Sequence, residues 1–289
     1  MNHLQLKKML NRFFLEDIGM GDLTSQSIFG EQSCEAKIVA KSDGIFAGAA
    51  VIKEGFMLLD EDVQTHLHKT DGDILQKGEV IAALRGPAAA LLSGERVILN
   101  LIQRLSGIAT MTGEAVRRLD DEQIEICDTR KTTPGLRMLE KCAVKAGGGS
   151  NHRFGLYDGI MIKDNHIAAC GSITEACQKA RRAAGHMVKI EVEIETEEQL
   201  REAIDAGADV IMFDNCLPET VRHFVTLTPD HIKTEASGGI TLETLAAFKG
   251  TGVDYLSLGF LTHSVKSLDI SMDVTLSNES VEECHDVNS

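Results

Sequence analysis

No run of apolar residues in this sequence approaches the roughly 18 to 20 that a helix needs to span a bilayer, so a membrane-embedded chain is excluded as an expectation. The first residues, MNHLQLKKMLNRFFLEDIG, lack the apolar core and small-residue cleavage site of a secretory signal. A cytoplasmic address is therefore expected. Cysteine is sparse and unpatterned: the seven cysteines are odd in number, scattered, and form no C-x-x-C pair. That argues against a disulfide framework and against a structural zinc site, and it suits buried thiols in a reducing compartment. Positive charge is also in short supply, with 29 Lys and Arg against 44 Asp and Glu for a net charge of −15. A broad basic face for non-specific nucleic-acid or membrane-surface binding is not available from such a balance. No low-complexity segment interrupts the chain. Its 289 residues, 43% of them hydrophobic, permit one large or two modest domains around a substantial core.

The scarce cations are concentrated. Between Cys127 and His166 the chain reads CDTRKTTPGLRMLEKCAVKAGGGSNHRFGLYDGIMIKDNH, with seven Lys and Arg against four Asp and Glu. A small basic cluster in an acidic molecule suits capture of a small, multiply charged anion. Arg130 and Lys131 follow an apolar run, His152 and Arg153 follow three glycines, and Lys163 follows Gly-Ile-Met-Ile. In parallel α/β proteins, ligand-binding groups sit on loops at the carboxyl ends of strands.

Read from its start, the chain opens with an amphipathic helix over residues 3–15, whose apolar side is Leu4, Leu6, Met9, Leu10, Phe13 and Phe14. A turn-rich link, EDIGMGDLTS, follows. From Ala36 to Leu84 short β-like runs (AKIVAK, GIFAG, VQTHLH, EVIAALRG) are broken by Asp-Gly and Lys-Gly turns, which predicts a small sheet-containing domain. The segment DGDILQKGEVIAAL resembles strands of lipoyl and biotinyl carriers but has no modifiable Lys at a hairpin tip, so its role is structural. Residues 88–119 read as a long helix or helix pair with Val97, Leu101, Ile108, Met111 and Ala115 on one stripe. Arg104 falls within that stripe, so it either snorkels to water or meets an anion or a partner carboxylate.

Beyond Asp120 a unit repeats: a short apolar strand, a chemically active residue at its end, a loop and a helix. The strands are IEIC, GIMI, KIEVEI, DVIMF, IKTEA and DYLSL, ending at or carrying Asp128, Lys163, Glu193, Asp214, Ser237 and Gly259. Six units in this length suit a six- or seven-stranded parallel β/α barrel better than an eight-fold one, which takes about 250 residues. Because all strand ends of such a barrel point to one face, Arg130, Lys131, Lys163, Glu193, Asp214 and Ser237 should converge. Three alternating acids, Glu191, Glu193 and Glu195, fall on one face of an extended strand, and an inward row of that kind requires cations or metal. An outward, solvated face is the alternative for Glu191 and Glu195. Glu193 with Asp214 suits a hard cation such as Mg²⁺, held by one or two carboxylates together with substrate phosphates. The loops ASGGI (236–240) and SLGFLTHS (257–264) have the character of phosphate cradles, where Gly lets backbone N–H groups approach an oxyanion. The tail after Asp273 is polar and acidic and is expected to fray.

Taken together, ERVILNLIQRLSGIAT (95–110), DTRKTTPGLR (128–137), GGGSNHRFGLYDGIMIKDNH (147–166), EVE (191–193), FDN (213–215), EASGGI (235–240) and GFLTHS (259–264) resemble the quinolinate phosphoribosyltransferase family. The match runs in order over about residues 16 to 273. The resemblance implies a type II phosphoribosyltransferase fold: an N-terminal α/β sandwich domain with the connecting helix (1–110), a six- or seven-stranded open parallel β/α barrel (111–264), and a C-terminal segment (about 265–289) that rejoins the first domain. It implies a homodimer with shared active sites. It further implies the transfer of phosphoribosyl from phosphoribosyl pyrophosphate (PRPP) to quinolinate with decarboxylation, giving nicotinate mononucleotide, pyrophosphate and CO2 in NAD biosynthesis, with Mg²⁺ as the cofactor and no nucleic-acid or membrane partner.

Carried over motif by motif, Arg130, His152, Arg153 and Lys163 hold the two carboxylates, and Arg104 arrives from the other subunit. Lys131 meets the pyrophosphate donor, and Glu193 and Asp214 face ribose and metal. Asn215, Ser237, Gly238, Gly259 and His263 belong to the PRPP site. Lys131, Lys163, Glu193 and Asp214 carry the catalytic role. Two rival classes are a barrel aldolase with Lys163 or Lys131 as Schiff base, and a non-catalytic relative resembling the family's molybdenum-associated homologue or an anion-binding module.

Overall fold

A computed structural model describes residues 1–276, and the chain falls into two compact units. One comprises Met1–Gly107 with the described residues from Lys266 onward; the other is Ile108–Val265.

The first unit begins with α1 (His3–Ile18), started by the Asn2 side chain, which accepts from the Gln5 N–H. Leu6, Leu10 and Phe14, at i, i+4 and i+8, are its buried stripe. Leu4, expected on that stripe, is 82% exposed, because its side chain lies on the opposite edge of the helix. The turn-rich link contains a short helix, α2 (Leu23–Ile28), capped by Asp22, which takes both the Ser25 N–H and its hydroxyl. Next come β1 (Ser33–Ala40), β2 (Gly44–Ile45), α3 (Ala49–Leu59), β3 (Gln64–Leu67), β4 (Ile74–Leu75) and β5 (Val80–Pro87). The helix α3 was not anticipated from the sequence. It buries Val51, Ile52, Gly55 and Phe56, and its almost uniformly apolar sequence carries no helical period.

The long helix α4 (Ala88–Leu119) is unbroken and carries the chain from the first unit into the second. Thereafter come β6 (Glu125–Cys127), α5 (Arg137–Ala146), β7 (Ile160–Ile162), α6 (Asp164–Cys170), α7 (Ile173–Ala183), β8 (Ile190–Ile194), α8 (Glu197–Asp205), β9 (Val210–Asp214), α9 (Pro218–Leu227), β10 (Lys233–Ser237), β11 (Tyr255–Ser257), α10 (Phe260–His263) and β12 (Ile270–Leu276). In the first unit the antiparallel order is β12-β1-β5-β3, and β2 pairs with β4. The last strand pairs Cys34 with Leu276 and Ala36 with Val274. Residues 274–276 therefore extend the sheet where fraying was expected, because β1 offers them a full ladder edge. Residues 277–289 lie outside the described part of the chain.

The second unit is a six-stranded parallel sheet in the order β6-β11-β10-β9-β8-β7. An isolated parallel bridge joins Cys127 to Ser150 beyond β6. Alternation does the sorting. Ile190, Val192, Ile194, Ile211, Phe213, Ala236 and Leu256 form one core with helix residues Ile173, Ala176, Leu200, Ala203, Val221 and Phe224. Fully burying a ring such as Phe213 contributes on the order of 2–3 kcal/mol, and its edge-to-face contact with Phe224 at 5.5 Å fixes α9 on β9. The helices start where the sequence supplies caps: Ser172 before α7, the Thr196–Gln199 capping box before α8, and Pro218 in the first turn of α9.

The opposite face of the same strands carries Glu191, Glu193, Asp214, Glu235, Ser237 and Ser257, by strict period-two alternation. That polar face, and the loops after the strands, hold the chemistry.

Candidate active site

Strand register sets the floor of the site. Asp214, Ser237 and Ser257 stand in one row across β9, β10 and β11, with Ser237 in the middle as the neighbour of both. One layer deeper, Glu193, Met212 and Glu235 are aligned across β8, β9 and β10. Lys163, just beyond β7, reaches across the strand end so that its Nζ pairs with Glu193 Oε2. Burial raises the pKa of Asp214 above the usual carboxylate value, and the charge of Glu193 raises it further, partly offset by Lys163. Two acids that crowd each other in this way call for a further cation.

The loop after β9 is bent for a purpose. Asn215 has φ +54°, donates from Nδ2 to Asp214 Oδ2 at 2.7 Å, and has its N–H on the Ser237 carbonyl at 2.8 Å. Gly238 follows β10 with φ +89°, and a Cβ there would lie 2.7 Å from Asn215 Cγ and 2.8 Å from its backbone N. Gly239 also has positive φ, and a Cβ on it would meet nothing within 4 Å. These glycines expose backbone at the strand end as an oxyanion cradle requires. After β11, Gly259 lies against Lys131 and His263: a Cβ there would meet Lys131 Cδ at 3.1 Å and His263 Nε2 at 3.2 Å. Thr262 Oγ1 donates to the Lys131 carbonyl at 2.8 Å, tying the loop after β6 to α10. The sequence-expected phosphate residues are thus gathered into two adjoining clusters, Asp214–Asn215–Ser237–Gly238 and Lys131–Gly259–His263.

The basic loops converge as well. Arg130 is exposed, and its carbonyl accepts from Arg137. Arg153 donates from Nη1 to the Gly159 carbonyl at 2.6 Å, while its Nε is buried with no hydrogen-bond partner. Burial lowers the pKa of Arg153, and the nearby charge of Arg130 lowers it further. A guanidinium with a buried, unused N–H beside a second guanidinium has the donors and charge to receive an anion.

Behind Arg153 lies a network that sequence reasoning did not identify. Lys141 and Asp128 are both 0% exposed and paired. The Asp128 carboxylate also accepts the Asn151 amide at 2.6 Å and the His152 N–H at 2.9 Å, while Lys141 Nζ donates to the His152 carbonyl at 2.8 Å. The His152 ring lies 3.1 Å from Glu191 Oε2 and 3.6 Å from Glu235 Oε2. Glu191 is therefore inward and buried, and its outward alternative is ruled out. Burial pushes the Glu235 carboxyl up to about 7, helped by the charge of Glu191 and opposed by His152. For His152, burial disfavours the charged ring, but the hydrogen bond to Glu191 and the charges of Glu235 and Glu191 raise its pKa overall. Arg104, half-buried on α4, belongs to the first unit. Among the described residues, no helix is long and apolar enough to cross a membrane.

Two family models match in tandem: the N-terminal domain of quinolinate phosphoribosyl transferase over residues 22–106 and its C-terminal domain over residues 108–273. The chain is 86% identical over 289 residues to the probable nicotinate-nucleotide pyrophosphorylase (carboxylating) of Bacillus subtilis, with all of both chains covered. It is 41% identical over 268 residues to a protein of the same name from Synechocystis, covering 92% of this chain and 91% of that one. The crystal structure of NadC from Streptococcus pyogenes superposes with a TM-score of 0.93 at 41% identity, covering 96% of this chain and 99% of that one.

Proposed function

The chain belongs to the quinolinate phosphoribosyltransferase family, and from that premise we propose that it transfers phosphoribosyl from PRPP to quinolinate with decarboxylation. Nicotinate mononucleotide, pyrophosphate and CO2 are the products, and the reaction is a step of NAD biosynthesis. The observation that carries this reading is the half-buried Arg153, whose buried Nε has no partner and whose charge lies near that of Arg130, an arrangement that a dicarboxylate would complete.

Arg130, His152, Arg153 and Lys163 take the carboxylates, and Arg104 is contributed by the second subunit of a homodimer. Ser237, Gly238, Gly259 and His263 surround the 5′-phosphate, with Asn215 shaping the loop. Lys131 faces the pyrophosphate. As the bond from the ribose carbon to pyrophosphate breaks, Glu193 and Asp214 sit where positive charge grows on the sugar and stabilise it electrostatically. The pyridine nitrogen forms the new bond and becomes cationic. The adjacent carboxylate then leaves as CO2, its electron pair held beside that cation until a proton replaces it.

The Glu193 and Asp214 carboxylates fit Mg²⁺ by donor type, since both offer hard oxygens and the raised Asp214 pKa registers their crowding. Two carboxylates are too few for a closed protein site, so the ion would arrive with pyrophosphate and neutralise the leaving group. A cytoplasmic location fits the free cysteines among the described residues, Cys34, Cys127, Cys142, Cys170, Cys177 and Cys216. The Schiff-base alternative is disfavoured because the Lys163 amine is engaged by the Glu193 carboxylate. The test is product identification after incubation with quinolinate, PRPP and Mg²⁺. Nicotinate mononucleotide with stoichiometric CO2 supports the proposal; pyrophosphate release without CO2, or none at all, refutes it.

A further inference from the structure

One buried ion pair grips the backbone of His152 from both sides. Asp128, just beyond β6, accepts the His152 N–H at 2.9 Å, and Lys141, on α5, donates to the His152 carbonyl at 2.8 Å. Neither side chain of the pair is exposed at all. Asn151 extends the grip, its amide giving one hydrogen to Asp128 at 2.6 Å and the other to the Lys141 carbonyl at 2.9 Å. On the far side of Arg153, the Lys141 ammonium lies 5.2 Å from the centre of the Phe154 ring, and the Phe154 carbonyl accepts from Arg137 at 3.0 Å. Arg153 therefore projects from between two anchored residues.

We infer that Asp128 and Lys141 are positioning residues: they fix the backbone of residues 151–153 so that the His152 and Arg153 side chains stand ready for the dicarboxylate before it arrives. The inference rests on the function proposed above, but the rigidity it assigns to the unliganded loop does not. An ion pair is not the most stable filling for a core, since apolar side chains of similar volume often serve as well or better. What apolar side chains lack is an acceptor and a donor aimed at the backbone of one residue. The pair also carries no net charge, so it fixes the loop without altering the balance of charge at the anion site.

Its two members come from a strand end and a helix, which ties the loop to two rigid elements, the support that a precisely placed binding group needs. Without Lys141 the His152 carbonyl has no donor and turns toward water, carrying Arg153 with it. A shift of about 1 Å at such a residue can cost about 10²-fold in activity. The effect is confined to the dicarboxylate. The phosphate-side loops keep contacts of their own, Asn215 on Asp214 and Thr262 on the Lys131 carbonyl.

Two experiments test this. The first is amide hydrogen exchange of the full chain, resolved to the His152 N–H. Slow exchange is expected without ligand and should change little on adding quinolinate; fast exchange that slows only with quinolinate would overturn the inference, because the ligand and not the ion pair would then order the loop. The second is steady-state kinetics of the double variant Asp128→Asn/Lys141→Met, which strands no charge but leaves the His152 carbonyl without its donor. Its KM for quinolinate should rise about tenfold or more, the worth of one lost hydrogen bond, while its KM for PRPP stays within about threefold of the parent. Leu10→Ala, which opens a cavity in the core of the other unit, is the control for lost stability and should leave both values at the parental level. A parental quinolinate KM in the double variant, a parallel rise for both substrates, or the same rise in Leu10→Ala would each overturn the positioning role. Absence of turnover in the parent protein would count against the proposed function, while the exchange result would still decide whether the loop is held in advance.

Discussion

Replacing Lys141 with Met tests whether the buried ion pair behind the basic loop is as important as its geometry implies. Lys141 and Asp128 are both fully buried, so the substitution leaves a carboxylate with no counter-ion and no water. Asp128 keeps the Asn151 amide at 2.6 Å and the His152 N–H at 2.9 Å, which soften the loss without removing it. The His152 carbonyl loses its 2.8 Å donor as well. Methionine fills most of the vacated volume, so a cavity contributes little and the electrostatic cost dominates. Breaking one partner of such a pair costs about 3–5 kcal/mol. In the background of Asp128→Asn, where no charge is stranded, the cost of Lys141→Met should fall to about 1–2 kcal/mol.

The assay is urea unfolding at one fixed protein concentration, followed by circular dichroism. Its pH dependence has a definite sign. Burial already raises the Asp128 pKa above 3.8, and loss of Lys141 raises it further. A carboxyl that holds its proton longer when folded makes stability fall as pH rises from its unfolded value through its folded one. The deficit of Lys141→Met should therefore be larger at pH 8 than at pH 5. A single variant within 1 kcal/mol of the parent, or a deficit that grows on acidification, would refute the reasoning.

Mixing Arg104→Ala with Lys131→Ala protein should restore about a quarter of full activity after statistical subunit exchange, since one site of each heterodimer keeps both side chains; no recovery after confirmed exchange would exclude a shared site. Glu235→Gln should flatten the stability profile between pH 4.5 and about 7, because the parent's folded state retains the Glu235 proton across that window and loses stability as pH rises through it. A parent profile that rises through the same window would contradict this. Gly238→Ala should weaken PRPP binding far more than quinolinate binding, because φ is +89° and the new Cβ would strike Asn215 at 2.7 Å. Parallel titrations of both ligands would show it, and equal losses would mean that the loop is not a phosphate cradle.

How far the sequence discloses this molecule depends on the range of the forces involved. Local periodicity reveals the parallel strands, because Ile190, Val192 and Ile194 alternate with acids and the caps Ser172 and Thr196 stand directly before their helices. Strand-end placement then brings Lys163 to Glu193 and Asp214 beside Ser237, since parallel register needs only the order of the strands. The helix α3 escapes because its exposed side carries an apolar Met57 beside Lys53 while the charged Glu54 is buried, so polarity does not mark a helical period. The resemblance implied that the C-terminal segment rejoins the first domain, but its form as a strand escapes because its partner, β1, lies more than 200 residues away in the chain. Lys141 looks like an ordinary charge on an amphipathic helix, and nothing local says that it is buried on Asp128. Glu235 sits within the EASGGI motif, and its inward direction was available from the same alternation that marks Glu193. The two ring contacts of His152 follow from the fold alone.

The most direct test of the account is the ratio of kcat/KM for quinolinate and for nicotinate, with saturating PRPP and Mg²⁺, and with CO2 followed from quinolinate labelled at its 2-carboxylate. Arg130 and Arg153 set two guanidiniums side by side, more positive charge than one carboxylate can balance, and Arg153 carries a buried Nε with no partner. Sites built around a polar group reject analogues lacking it by about 10⁴-fold or more, so quinolinate should be used with release of labelled CO2 and nicotinate essentially refused. Comparable values for the two acids, or nucleotide formed from quinolinate without labelled CO2, would contradict the assignment.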